Sequence, residues 1–358
     1  NGEVPLLDLD PAKPNLRYFQ FVDSVIQMAA TKGLFMGLLP TWGDKVDQRW
    51  GQGPVVFNEK NAASYGKWLG ERYKDYPNII WIIGGDRLCE GNEAVWEALA
   101  TGIRSADSNH LMTYHPMGSR SSSECFHQSE WLDFNMHQSG HSDRYIPNYR
   151  KIMADYALDP PKPCMDAEPI YESHPFGWNP KNGIAGEDEV RRAAYWALFS
   201  GAHGHSYGNH CIWQFYSSKV KAVNHPPMYW QKAMDLPGAW DMLHVRRLME
   251  SRPMLKRYPD QSIIWGPAGG TTDHIAATQG EGYAFVYLPS NPQVIIDFSR
   301  IRGDSFKTWW YNPRTGEATF IKEVEGEVRE SFRVPVSGVD WVLVIDNATY
   351  IFNEPGKI

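Results

Sequence analysis

Two carboxylates close two apolar, β-favouring runs. Asp86 ends Ile79-Ile80-Trp81-Ile82-Ile83-Gly84-Gly85-Asp86, and Glu168 lies in Pro163-Cys164-Met165-Asp166-Ala167-Glu168-Pro169. In a (β/α)8 barrel the reacting groups sit at the C-terminal ends of strands. Two acids placed that way are the minimum equipment for cleaving a glycosidic bond. Asp86 is read as the acid that protonates the leaving oxygen, and Glu168 as the nucleophile. A carboxyl separation of about 5–5.5 Å would mark a retaining enzyme, and about 6.5–9.5 Å an inverting one. The plainer alternative for Asp86 is a loop carboxylate paired with Arg87. Asp166, two residues back on the same strand face, and Glu172 compete with Glu168.

Histidines crowd the predicted strand ends: His115, His137, His141, His203, His205 and His210. A neutral imidazole both donates and accepts, which suits hydroxyl recognition. Metal ligation is the rival use, but no H-E-x-x-H pattern is present and no metal or other cofactor is expected. Substrate contacts are assigned to Trp42, Asp44, Arg87, His115, His137, Gln138, Tyr171, His205, Trp213 and Gln214. No G-x-S-x-G elbow, P-loop or G-x-G-x-x-G occurs, so neither a serine nucleophile nor a nucleotide site is proposed.

Alternating elements must position these groups. Helical spacing runs from Asn15 to about Lys32, where Gly33 stops it, and again over about Asn58–Tyr73, Asn92–Ser105, Tyr145–Ala157, Glu187–Gly201 and Pro237–Glu250. Between them lie short apolar strands at Leu34–Leu39, Ile79–Ile83, His110–Tyr114, Phe134–Met136, around Cys164-Met165, and at Cys211–Gln214. The alternation implies parallel βαβ units and a (β/α)8 TIM barrel. Six strands are read, so the first two are expected to precede Asn1, in about 60–90 residues. After about Tyr258 the texture changes to short β-rich segments, such as Ile263–Trp265, Tyr283–Tyr287, Val294–Ile296, Thr308–Tyr311 and Trp341–Ile345, separated by Gly, Pro and Asn. This is the pattern of an antiparallel β-sandwich. Two domains are expected, residues 1–257 and 258–358.

Composition narrows the partner. The 358 residues carry a net charge of −7 and no basic stripe, which argues against nucleic acid. No run reaches the roughly 18 apolar residues of a membrane helix. Aromatic content is 13%, with 15 Trp and 18 Tyr. Flat rings with polar edges match sugar faces, although a large core accounts for most of them. The four cysteines, Cys89, Cys125, Cys164 and Cys211, contain no C-x-x-C pair; a disulfide framework is not indicated, and one bridge remains open. The start Asn1-Gly2-Glu3 lacks an initiator Met and reads as a mature or truncated terminus, from which export information would have been removed. A periplasmic or extracellular location is expected.

At these same residues the chain resembles glycoside hydrolase family 140, the apiosidase-like group of retaining (β/α)8 glycosidases in clan A. The resemblance rests on Gly37–Asp44, Asn78–Arg87, Met165–Glu172 and Tyr195–Tyr216. Trp310–Gly316 and Asp340–Val344 resemble the group's appended β-sandwich, which carries a collagen-binding label. The resemblance implies that Asp86 is the acid/base, where related barrels often carry a Glu after Asn, and that Glu168 is the nucleophile. It further implies an exo-acting hydrolase releasing apiose from rhamnogalacturonan-II side chains of pectin. An endo-acting cellulase- or mannanase-like enzyme of the same clan and a non-catalytic carbohydrate-binding protein are the alternatives.

Overall fold

The structure, a computed structural model, describes residues 2–326 and 328–358. The chain forms two compact units. One contains the described residues through Gln138 together with Leu158–Pro163, and the other contains Ser139–Ala157 and Cys164–Ile358.

In the first unit, α1 (Leu16–Thr31) starts on Asn15, whose side chain accepts from the Arg17 N–H, and buries Phe19, Ile26 and Ala29. Strand β1 (Met36–Leu38) follows. Helix α2 (Glu59–Tyr73) opens with a reciprocal Asn58–Asn61 capping box. Strand β2 is Ile79–Arg87 and α3 is Glu93–Arg104. Helices α2 and α3 approach backbone to backbone. A Cβ added at Gly66 would lie 2.3 Å from the Leu99 carbonyl oxygen. Strand β3 is Met112–Pro116. The three strands pair in parallel in the order β1-β2-β3, with Gly37 opposite Ile80 and Trp81 opposite Met112. Trp81 and Ile83 are fully buried, as the near-continuous apolar run of a parallel strand requires. A short β4 (Arg120–Ser121) pairs antiparallel with β5 (Asn135–Gln138), and a helical turn, α4 (Ser123–Phe126), lies between them. Cys89 and Cys125 form the disulfide that composition left open.

The second unit contains α5 (Asn148–Tyr156), β6 (Cys164–Asp166), α6 (Glu187–Phe199) and β7 (Gly204–His205). Strands β6 and β7 are parallel, with Asp166 opposite His205. The expected strand at Cys211–Gln214 is corrected here. His210–Trp213 is a helical turn, α7, because the Asn209 side chain caps the N–H groups of Cys211 and Ile212. A further turn α8 (Trp230–Ala233) precedes α9 (Pro237–Glu250), which begins on a proline at its first position.

The remaining strands are antiparallel: β8 (Tyr258–Pro259), β9 (Ala276–Gly280), β10 (Tyr283–Leu288), β11 (Gln293–Asp297), β12 (Ser305–Tyr311), β13 (Ala318–Glu325), β14 (Arg329–Arg333) and β15 (Trp341–Asn347). They form a sheet ordered β13-β12-β15-β10-β9-β8 and a β11-β14 pair. Val286, Leu343 and Phe306 of the large sheet share one core with Val294, Ile296 and Phe332 of the pair. Ile263 ends a tight turn instead of starting the expected strand, with Ile264 making one bridge to Ile296. The other face of the large sheet packs on α6, where Tyr195 and Tyr287 stack at 4.7 Å. Arg191 of α6 reaches Asp340 through Nε and Nη2 at 2.7 and 2.9 Å. The chain is therefore a mixed α/β fold with a C-terminal antiparallel sheet domain. Among the described residues, no helix is long and apolar enough to cross a membrane.

Candidate active site

Asp86 sits where β2 loses its regular register, between Gly84 and Arg87. Gly84, Gly85 and Asp86 have φ of +90°, +124° and +58°. Gly85 is required by close approach, since a Cβ there would meet the Gly43 nitrogen and the Trp42 ring at 3.0 Å. Asp86 holds a left-handed conformation that L-residues adopt at a cost, although Asp tolerates it better than most. Its Oδ2 accepts from the Trp50 indole N–H at 3.0 Å.

Arg87, expected as a substrate contact, is fully buried, and its nitrogens face the protein's own carbonyls. Its Nε donates to the Asp47 carbonyl at 2.7 Å and Nη1 to the Asp86 carbonyl at 2.8 Å, while Nη2 donates to the Trp50 carbonyl. Asp44 is also turned to construction. Its Oδ2 accepts from the backbone N–H groups of Gln52 and Gly53, both at 3.0 Å. Trp42, by contrast, keeps 45% of its surface exposed, with its ring 6.3 Å from that of His115. His115 Nδ1 lies 3.0 Å from the Pro116 carbonyl. His137 is buried and donates Nδ1–H to the Arg120 carbonyl at 2.8 Å; Gln138, next to it, is buried too.

In the second unit three carboxylates follow one another and meet different surroundings. Asp166 is sealed, accepting from Ser139 N–H, Ser139 Oγ and Asn148 Nδ2. Glu172 is also sealed. It accepts from the Tyr207 hydroxyl and the Gly238 N–H, and burial raises its pKa. Glu168, two residues past β6, keeps 16% of its side chain exposed. Its Oε1 lies 3.1 Å from His141 Nε2.

His141 heads a row of rings. Its centroid is 4.4 Å from Tyr171 and 4.4 Å from His174, and His174 is 4.4 Å from His210. Carbonyl partners assign the tautomers. His174 donates Nδ1–H to Pro175, and His210 donates Nε2–H to Asn224 while its Nδ1 accepts from the Trp213 indole at 3.2 Å. Burial, with His141 and His210 alongside, pushes the His174 pKa down to about 3. Burial also lowers that of His210. Burial and the neighbouring imidazoles disfavour a charge on His174 and on His210.

His205 ends β7 with both ring nitrogens buried and unpartnered, and burial lowers its pKa to about 4. Trp213 lies on α7, half exposed, and not at a strand end. Gln214 closes its own loop through the His210 and Val223 carbonyls and the Val223 N–H. Among the described residues, the one grouping of three potential metal ligands is Cys89, Glu90 and Cys125, whose sulfurs are joined in the disulfide.

Trp50 and His174 were not singled out in the sequence. Trp50 lies in a polar loop and His174 follows a serine in an irregular segment, so neither sits at a predicted strand end. His141 is one of several histidines in the sequence, and no pattern there ties it to Glu168.

Residues 1–256 match the family model described as "Apiosidase-like, catalytic domain", and residues 258–346 match "Putative collagen-binding domain of a collagenase". No curated protein matches the chain. Among solved structures, one glycoside hydrolase is 37% identical with a TM-score of 0.88, over 93% of this chain and 78% of that one. A glycoside hydrolase family 5 structure from Bacteroides vulgatus is 39% identical with a TM-score of 0.87, over 93% and 75%. Another glycoside hydrolase structure from the same organism shares the fold at 14% identity and a TM-score of 0.65, over 94% and 64%.

Proposed function

This chain belongs to the apiosidase-like family and is a glycoside hydrolase, and on that premise we propose a retaining double displacement with Asp86 as acid/base and Glu168 as nucleophile. In the first step the Asp86 carboxyl protonates the leaving oxygen while Glu168 attacks the anomeric carbon, giving a glycosyl ester. In the second, Asp86 removes a proton from water, which displaces Glu168 and releases the sugar. The observation that carries this reading is the sorting of carboxylates. Along 166–172, Asp166 and Glu172 are enclosed by their own donors, while Glu168 is partly open and held by His141.

The finer reading places the enzyme in glycoside hydrolase family 140, acting as an exo-apiosidase on rhamnogalacturonan-II side chains. It rests on the Gly-Gly-Asp and Asp-Ala-Glu-Pro segments. The half-exposed rings of Trp42 and Trp213 suit a sugar substrate. A closed eight-stranded barrel belongs to the same proposal. β1 is an edge strand beside an apolar hollow of about 400 Å3 lined by Phe19, Leu38, Phe57 and Trp81, a face that a further strand would cover. The Cys89–Cys125 bridge fits a periplasmic or extracellular setting. The collagen-binding label of the sheet domain is not carried over, because fold does not fix function.

The test is a released-sugar assay on rhamnogalacturonan-II oligosaccharides. Apiose should be released by the wild type and by neither Glu168→Gln nor Asp86→Asn, with both variants folded. Wild-type-like activity in Glu168→Gln removes that residue from the mechanism. Internal cleavage without a free monosaccharide favours the endo-acting alternative.

A further inference from the structure

Residues 46–53 form a polar loop, after the 3-10 turn Gly43–Lys45, that ordinary helix or strand pairing does not hold. Buried groups hold it instead. At one end Asp44 Oδ2 takes the backbone N–H groups of Gln52 and Gly53. Gly51, at φ +103°, passes so close to Asp44 that an added Cβ would lie 2.6 Å from the Asp44 Cβ. In the middle, the three nitrogens of buried Arg87 bind the carbonyls of Asp47, Trp50 and Asp86. The guanidinium carbon lies 4.5 Å from the centre of the Trp50 ring. The loop is tied to the end of β2 at Asp47 and at Trp50 itself. What that arrangement delivers is one N–H, the Trp50 indole, 3.0 Å from Asp86 Oδ2.

We infer that Trp50 is a positioning residue for the acid: its indole orients the Asp86 carboxyl through Oδ2. This rests on the reading of Asp86 as acid/base. An indole N–H donates only and carries no charge. A donor held on one carboxyl oxygen restricts rotation of the whole group. Because the partner is neutral, it holds the carboxyl in both protonation states, whereas a cation in that place would favour the carboxylate alone. The nitrogens of Arg87 are directed to carbonyls, where they hold the loop. The left-handed backbone at Asp86 gives the chain a reason to need a tether on the side chain as well.

The inference separates Trp50 from a residue that merely packs. A misplaced acid matters in proportion to how much the leaving group needs protonation. The experiment uses phenyl and 2,4-dinitrophenyl apiosides with the wild-type chain, Asp86→Asn and Trp50→Phe, reading kcat/KM for each. Phenyl glycosides need the proton and dinitrophenyl glycosides hardly do. Asp86→Asn should lose about 1,000-fold on the phenyl substrate and much less on the activated one. Trp50→Phe should show the same pattern at smaller size, about 10- to 100-fold on phenyl and only a few-fold on dinitrophenyl. The activated rate also reports that the variant is folded. Equal losses of Trp50→Phe on both substrates, beside the expected split for Asp86→Asn, overturn the inference and leave the function standing. Equal losses for Asp86→Asn overturn the assignment of the acid, and the role of Trp50 with it.

Discussion

His141 presents Nε2 to Oε1 of Glu168 at 3.1 Å, while its Nδ1 is buried without a hydrogen-bond partner. Facing a carboxylate, Nε2 carries a proton and donates it to Glu168. The orientation of that ring is set by Tyr171 on one side and His174 on the other.

Removing the donor should lower turnover more than it lowers stability. His141→Phe keeps an aromatic ring between Tyr171 and His174 but cannot donate, and kcat/KM is expected to fall by about 100-fold, the size seen when a preorganised donor is lost. His141→Gln can still donate and should recover most of that loss. Equal defects in the two variants would assign His141 to packing alone.

The neutral histidines give a pH dependence whose sign is set. A histidine with a folded pKa below its ordinary 6.5 binds fewer protons folded than unfolded, so its contribution to stability is complete above that value and is lost as pH falls. The window runs from 6.5 down to about 3 for His174, and down to about 4 for His205 and His274. Within its window each such group removes up to about 1.4 kcal/mol per pH unit. Thermal melts at pH 7.5 and 5.0 should show a drop, and His174→Asn should shrink it. An unchanged pH slope in that variant would place the proton uptake elsewhere.

The disulfide closes a loop over a sequence separation of 36 beginning just past Asp86. By chain entropy alone, breaking it should cost about 4 kcal/mol. Cys89→Ser with Cys125→Ser, or the wild type under dithiothreitol, should show a lower midpoint in urea. A midpoint unmoved by the reductant, with both thiols shown free, would refute this.

Asp340 is fully buried and accepts from Arg191, Arg314 and the Tyr287 hydroxyl. Asp340→Ala leaves the buried Arg191 with Asp241 and the longer, 3.7 Å contact to Asp188, and should destabilise the chain by about 3–5 kcal/mol, as for a broken buried pair. Urea unfolding measures it, and a loss below about 1 kcal/mol would mean that water or Asp241 compensates. Arg252 with Asp346 is a second buried pair that should behave the same way.

The local physics of the chain was legible without coordinates. The six long amphipathic helices are where spacing puts them, within one to three residues, because helical faces repeat along the chain whatever they pack against. The Ile79–Ile83 run is a buried parallel strand, and the glycines before Asp86 mark its irregular end. Four residues at 211–214 were another matter. A short apolar run does not distinguish a strand from a buried helical turn, and Asn209 tipped the balance by capping. The cap was visible as an Asn before the run, and it was the signal to follow.

What the tertiary structure alone decided is which neighbours the functional side chains keep. Trp50 meets Asp86 across 36 positions of sequence, and His141 meets Glu168 across 27. Arg87 and Asp44, read as substrate contacts by position, also build the loop that carries Trp50. Periodicity encodes which face of an element is buried, whereas the partner of a polar side chain depends on where a distant loop is held. That is set by packing, and packing is not written at any one position in the chain.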